Sequence, residues 1–266
     1  MNNLPSIIEG IRADLTARND VRDATLRRSR ELIRLCANSI RAVHRHEFDE
    51  AAALLAEARA AAAAMVGDLQ GMHELFHTGY TQDALKELVE AHTLYAMVHG
   101  HALPTPASLG VPAAAYLNGL AEAASELRRF ILDLIRLGRT REGEPYLAVM
   151  DDVYIHLVTM DFPDALTGGL RRTTDMLRGV LERTRGDLTV AVRQEELEAA
   201  MQAFEQIRTV CQCARLTLRH LRCHMTSHNR HIARGSRRTL IILILAAIRG
   251  RCVGYVKSCG IGDGAG

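Results

Sequence analysis

Across residues 4–46 apolar positions recur at helical spacing for more than forty residues, with Leu26, Ile33, Ala37 and Ile40 on the stripe, Ser29 among them, and Arg27, Arg30, Arg34 and Arg41 between. This predicts one long amphipathic helix. Composition extends the reading to the whole chain. Ala, Leu, Arg and Glu are abundant, aromatics make up only 4% and Trp is absent. That balance favours helices, because strand propensity rests on aromatic and β-branched residues. The expected class is all-α.

Further helices are expected at about 48–67, 71–99 and 112–137, with Pro104, Pro106 and Gly110 breaking the chain after the third and Gly138 stopping the fourth. A fifth follows Pro145 and ends before Asp161-Phe162-Pro163, where the residue preceding a proline is pushed out of the helical region. A sixth is expected at about 165–185, with Gly168 and Gly169 near its start, and a seventh at about 187–208. Seven helices with short connections make a bundle, so residues 1–210 read as one helical domain.

The rest is different in kind. From Cys211 onward nine arginines and Lys257 stand against Asp263 alone, a surplus of nine positive charges; with +2 overall, residues 1–210 carry −7. Five of the six cysteines also lie there. Residues 211–266 therefore read as a basic Cys/Arg/His-rich tail, disordered or atypical, around one apolar run at 240–248. That run is too short to span a bilayer as a helix. Cys211, Cys213, Cys223, His224 and His228 match no standard zinc spacing, so zinc is not expected.

No signal-peptide pattern and no membrane-length apolar run occur, and the body holds Cys36 alone, which reads as a reduced, cytoplasmic protein without a membrane partner. No G-x-x-x-x-G-K-[ST], G-x-G-x-x-G, G-x-S-x-G or H-E-x-x-H is present. P-loop, dinucleotide-binding, α/β-hydrolase and zincin chemistries are thereby set aside.

Two predicted helices carry acidic pairs. Glu87 and Glu90 lie three apart on the third, with Asp83 a turn earlier, and Glu122 and Glu126 lie four apart on the fourth. Each spacing puts both carboxylates on one face. If the two faces meet, four carboxylates converge and their repulsion calls for a hard divalent cation, typically Mg²⁺, which can activate water and stabilise charge on a phosphodiester. If they do not, each pair is a solvated helix face. Spacing alone leaves both readings open. The same holds for Arg27, Arg30, Arg34 and Arg41, a phosphate track or a solvated or intersubunit face, and for His73 and His77, four apart, which lack a third metal ligand at a suggestive distance. Arg171 and Arg172 sit near a helix start, where cations oppose the dipole unless an anion or an acidic partner is near; a salt bridge is expected.

The segment Leu85-Lys86-Glu87-Leu88-Val89-Glu90-Ala91 resembles the motif that carries metal-binding glutamates in the catalytic members of the translin family. Tyr116-Leu117-Asn118-Gly119, continuing to Glu122 and Glu126, resembles that family's tyrosine-leucine-x-glycine segment and its two following acids. Ser29-Arg30-Glu31-Leu32-Ile33-Arg34 is similar to its first helix. Asp161-Phe162-Pro163-Asp164-Ala165-Leu166-Thr167, with Glu182-Arg183-Thr184-Arg185-Gly186-Asp187, is typical of its short archaeal members. The resemblance covers about residues 1–208.

It implies a seven-helix translin-like bundle that forms a homo-oligomer, an octamer-like closed shell, with a second translin-family subunit as a further partner. It implies single-stranded RNA or DNA as ligand, with Arg27, Arg30, Arg34, His73 and His77 as nucleic-acid contacts. It also implies Glu87, Glu90, Glu122 and Glu126 as catalytic Mg²⁺ ligands of an endoribonuclease. Glu122 departs from the pattern, since the catalytic members carry an aspartate there. The alternatives are a binding module that does not cut and a structural bundle without ligand.

Overall fold

A computed structural model describes residues 3–227. The described residues form nine α-helices and one 3₁₀ turn, with no strand among them: α1 Leu4–His44, α2 Phe48–Asp68, α3 His73–Phe76, α4 Gly79–His99, α5 Pro106–Leu109, α6 Ala113–Arg136, the turn Thr140–Gly143, α7 Glu144–Leu157, α8 Asp164–Thr167 and α9 Leu170–Ser227. The chain divides into two compact units, residues 1–194 and 195–266.

In the first unit α1 packs along α2 and α4, α4 packs along α6, and α6 packs along α7. Two apolar clusters hold these contacts together. One joins Leu32 and Cys36 of α1, Leu55 and Met65 of α2, and Leu85, Leu88 and Val89 of α4. The other joins Leu94 of α4, Leu127 and Ile131 of α6, Met150 of α7, and Leu177, Leu181 and Leu188 of α9. Helix α4 contributes to both, so its side chains facing neither cluster are fixed between α1 and α6.

The α4–α6 contact is unusually close at one point. A Cβ on Gly119 would lie 2.6 Å from the Lys86 carbonyl oxygen and 2.8 Å from Val89 Cβ. Only glycine lets the two backbones approach this far. The neighbouring Asn118 ties α6 to the end of the bundle: its amide donates to the Thr167 carbonyl at 2.8 Å and its carbonyl accepts from the Thr173 hydroxyl at 2.7 Å. Tyr116 donates to the Pro104 carbonyl, anchoring the approach to α6.

The expected third helix, 71–99, is interrupted. Polar side chains capture carbonyls around Thr78: Thr78 and Thr81 both donate to the Leu75 carbonyl, and Gln82 donates to that of Phe76. Thr78 is extended, so α3 ends and α4 begins afresh at Gly79. His73 therefore lies on α3 and His77 on its C-cap rather than one turn apart on a long helix.

At the expected sixth helix, Gly168 and Gly169 both take positive φ (58° and 84°), which separates the single turn α8 from α9. The break expected between 185 and 187 is absent, since α9 runs through Gly186 without interruption. A lone glycine weakens a helix without ending it, and Arg128, paired with Asp187 at 2.8 Å, holds this stretch of α9 to α6.

Of the second unit, residues 195–227 are described, and they continue as helix through Cys211 to Ser227. The compositional change at 211 is thus not a change of secondary structure. Leu197, Met201, Phe204 and Ile207 are each more than half exposed. His228, Cys252, Cys259 and the apolar run 240–248 lie outside the described residues. No helix among the described residues is long and apolar enough to cross a membrane.

Candidate functional site

The close approach at Gly119 falls one turn before Glu122 on α6 and beside Lys86 on α4, so it brings the two acid-bearing faces against each other. Carboxylate oxygens of Glu87, Glu90 and Glu122 lie within 4.8 Å of one another. The acids are not on solvated faces. Glu90 is 8% exposed and Glu122 has 28% of its side chain exposed.

Lys86 is the one ammonium in this group, and it donates to Glu122 Oε1 at 2.8 Å. Burial opposes its charge, but the Glu122 hydrogen bond and the attraction of Glu122, Glu87 and Asp83 outweigh that, and its pKa is raised. One cation among three carboxylates leaves a surplus of negative charge in a half-buried gap. Glu90 absorbs most of the consequence. Burial, together with repulsion from Glu87, Glu122 and Glu126, pushes its carboxyl up to about 8. Burial likewise raises Glu87.

Glu126, the fourth acid, stands outside the close trio. It accepts a hydrogen bond from His44 Nε2, at the end of α1, at 2.9 Å. That bond, with the attraction of His44 and Arg129, outweighs burial and keeps the Glu126 carboxyl below the usual carboxylate range. The His44 side chain is 2% exposed, and its Nδ1 has no hydrogen-bond partner among the described residues. Cys36, fully buried on α1, senses the same acids. Burial pushes its thiol up to about 12, with Glu87 and Glu90 adding to the effect, so it is protonated and unreactive at neutral pH.

The donor set suits a hard cation. Oxygens on opposite sides of a magnesium ion lie about 4.2 Å apart, the same scale as the 4.8 Å within which the trio's oxygens lie, and all three ligand candidates are carboxylates. Soft or borderline metals would call for sulfur or imidazole, whereas the nearby imidazole is turned to Glu126 and the nearby thiol is protonated.

Among known proteins, an uncharacterized protein of Methanocaldococcus jannaschii is 31% identical over 188 residues, which is 69% of this chain and 82% of that protein. Two solved structures of AfC3PO, one of them a complex with duplex RNA, are also 31% identical and superpose with TM-scores of 0.65 and 0.62, covering 70% of this chain and 97% of AfC3PO. The C3PO structures are those of translin-family proteins. The chain belongs to the translin family. NeC3PO without ligand, 18% identical with a TM-score of 0.63 over 69% of this chain and 96% of its own, shares the fold. No family model matches the chain.

The five expected nucleic-acid contacts of this translin-family chain are all exposed: Arg27, Arg30 and Arg34 on α1, and His73 and His77 at α3. Arg34 is engaged by Glu31 through both Nε and a terminal nitrogen. Among the described residues no hydrogen bond or ion pair joins any of the five to the carboxylate cluster. Arg18 of α1 pairs with Glu74 of α3 at 2.9 Å, which sets α3 beside the same helix that carries the arginines. Arg171 and Arg172 are exposed and line an open cavity of about 520 Å³ at the start of α9 with Asp164 and Asp175, and among the described residues neither arginine forms the expected salt bridge.

Two residues at the centre of the site were not singled out from the sequence, Lys86 and His44. Lys86 and Lys257 are the only lysines among 33 basic residues. A lysine where the chain otherwise uses arginine was the available signal. No local signal marks His44, because its partner lies 82 residues away.

Proposed function

We propose that this translin-family protein is a cytoplasmic, oligomeric binder of single-stranded RNA or DNA that cleaves RNA internally with Mg²⁺. The observation that carries the catalytic part is the convergence of Glu87, Glu90 and Glu122 within 4.8 Å in a gap too negative to be neutralised by Lys86 alone. AfC3PO, of the same family, is known in complex with duplex RNA, which supports nucleic acid as the ligand.

In this reading Glu87, Glu90 and Glu122 hold the ion, and Glu126 completes the set from one turn further along α6. A bound magnesium ion supplies charge neutralisation at the phosphodiester and a water of lowered pKa. The chain's own groups prepare the pocket. Glu90, once deprotonated, would be a ligand, Lys86 orients Glu122 through their 2.8 Å hydrogen bond, and the His44 hydrogen bond favours the charged form of Glu126. Exposed Arg27 and Arg30, with His73 and His77, serve the strand away from the cut, where phosphate contacts set position without reading sequence.

Assembly is supported by α1. Leu4, Ile7, Ile8, Ile11 and Leu15 form a helical stripe with each residue 47–59% exposed. An apolar stripe this long on a helix surface calls for a partner. We assign it to contacts between copies, in a closed octamer-like shell, either of this chain alone or together with a second translin-family subunit.

The second reading, binding without cutting, draws on the ion pair that already engages Glu122. One assay separates the two. Labelled single-stranded RNA is incubated with the protein in Mg²⁺ or in EDTA. Cleavage that needs the metal and is lost in Glu87→Ala and Glu126→Ala supports the nuclease; tight binding without cleavage supports the module; no binding at moderate salt removes both.

A further inference from the structure

We propose that the ring cluster at the α1–α2 corner, exposed at His46 and His101, is a stacking platform for unpaired bases of the strand held at the carboxylate site. The inference rests on the nucleic-acid reading above and adds to it a base-binding subsite.

The first observation is the backbone at His46. The α1 C-terminus closes with the His46 amide donating to the Val43 carbonyl and the Glu47 amide donating to the Ala42 carbonyl, which is the Schellman arrangement. His46 occupies its left-handed position, at φ 60°, and among the described residues it is the only non-glycine with positive φ. Glycine is the usual occupant there, because a Cβ makes the left-handed conformation unfavourable. Among the described residues every other position at positive φ, 71, 100, 110, 138, 168 and 169, is glycine. A side chain kept at a strained backbone position points to a use for that side chain.

The second observation is where the ring goes. His46 lies against Phe130 of α6 at a centroid distance of 5.2 Å and against the edge of Phe48 at 5.6 Å. Phe130 is four residues after Glu126, hence on the same face and about 6 Å further along the helix. The α1–α2 corner thus sends two histidines to neighbouring turns of α6: His44, buried, to Glu126, and His46, exposed, to Phe130. Among the described residues no hydrogen bond or ion pair engages the ring nitrogens of His46, and the residue is exposed.

The patch continues away from the acids. Phe48 meets His99 edge-on at 4.5 Å, and His99 stacks on Tyr95 at 4.2 Å and on exposed His101 at 5.4 Å. A run of rings open to solvent at both His46 and His101, starting beside a phosphodiester-directed carboxylate cluster, has the chemistry that holds unpaired bases. Every base offers a π-face, so such a platform grips a strand without reading its sequence.

The test measures binding of a short fluorescein-labelled single-stranded RNA in EDTA, by anisotropy, so that cleavage plays no part. His46→Gly relieves the left-handed strain and therefore keeps the fold, which the thermal midpoint checks. It is expected to weaken binding about tenfold, the loss of one stacked base. His46→Phe is expected to restore it. An RNA carrying abasic nucleotides is expected to bind wild type and His46→Gly alike. Wild-type affinity in His46→Gly, while the wild type itself binds RNA, overturns this inference and leaves the proposed function standing. An equal loss on normal and abasic RNA also overturns it, since His46 would then contact the backbone. A wild type that binds no RNA overturns both.

Discussion

His44 and Glu126, one at the end of the first long helix and the other in the middle of the fourth, meet in a single hydrogen bond of 2.9 Å that fixes the fourth acid of the cluster. The imidazole is almost wholly buried and, among the described residues, has no other hydrogen-bond partner than Glu126. Replacing it exposes the dependence. In His44→Ala the Glu126 carboxyl loses the bond that lowers it and titrates at higher pH, as carboxyl NMR resonances would report. The pair stabilises the fold above the ordinary carboxylate range, and that contribution is lost as pH falls through the depressed Glu126 value. At neutral pH the variant is expected to lose about 1–3 kcal/mol, and an unchanged denaturation midpoint would contradict the pairing.

Glu90 gives the opposite pH dependence. Unfolded, it ionises near 4.5; folded and without metal, at about 8. Between these values the native state keeps a proton that the unfolded state has released, so stability in EDTA falls as pH rises from about 4.5 to about 8 and levels off above. Glu90→Gln is expected to flatten that slope and to raise the metal-free midpoint at pH 8, each kcal/mol appearing as about 2–4 °C. A Glu90→Gln midpoint below that of wild type at pH 8 in EDTA would show that the charge is not strained.

Gly119 tests whether the site depends on helix approach. An added methyl meets the Lys86 carbonyl and Val89 Cβ well inside contact distance, and neither can yield without moving α4. Gly119→Ala is expected to cost about 1–3 kcal/mol by overpacking and to reduce RNA cleavage more than its stability loss explains, because the acid faces are pushed apart. Gly67→Ala, where nothing lies within 4 Å, serves as the control and is expected to stabilise by about 0.5–1 kcal/mol. Equal effects at the two positions would contradict the account.

The α1 stripe predicts assembly. Ile8→Glu combined with Ile11→Glu changes two exposed positions, so helical content and the thermal midpoint of the subunit are expected to hold while the particle mass measured by light scattering drops. A full-sized particle would place the interface elsewhere.

How much of this the sequence disclosed follows from the range of each interaction. The helices and the facing acids were legible because periodicity and i, i+3 or i, i+4 spacing are local properties. The split at Thr78 and the fusion of the last two expected helices were not. Thr78, Thr81 and Gln82 break the chain by capturing carbonyls three to six residues away, and Gly186 stays helical because Arg128 on another element clamps Asp187. Glu90 read as one of a pair on a polar face, yet it is nearly buried, since Gly119 draws α6 over it. That closeness is a property of two helices together, which neither stretch displays alone.

The central claim is that the carboxylate trio is a cation site, and calorimetric titration of the purified protein with Mg²⁺ tests it most directly. Wild type is expected to bind about one ion per subunit, releasing a proton between pH 6 and about 8 as Glu90 ionises, whereas Glu87→Gln and Glu122→Gln, with midpoints at least equal to wild type in EDTA, bind none. Unchanged Mg²⁺ binding in both variants would contradict the account.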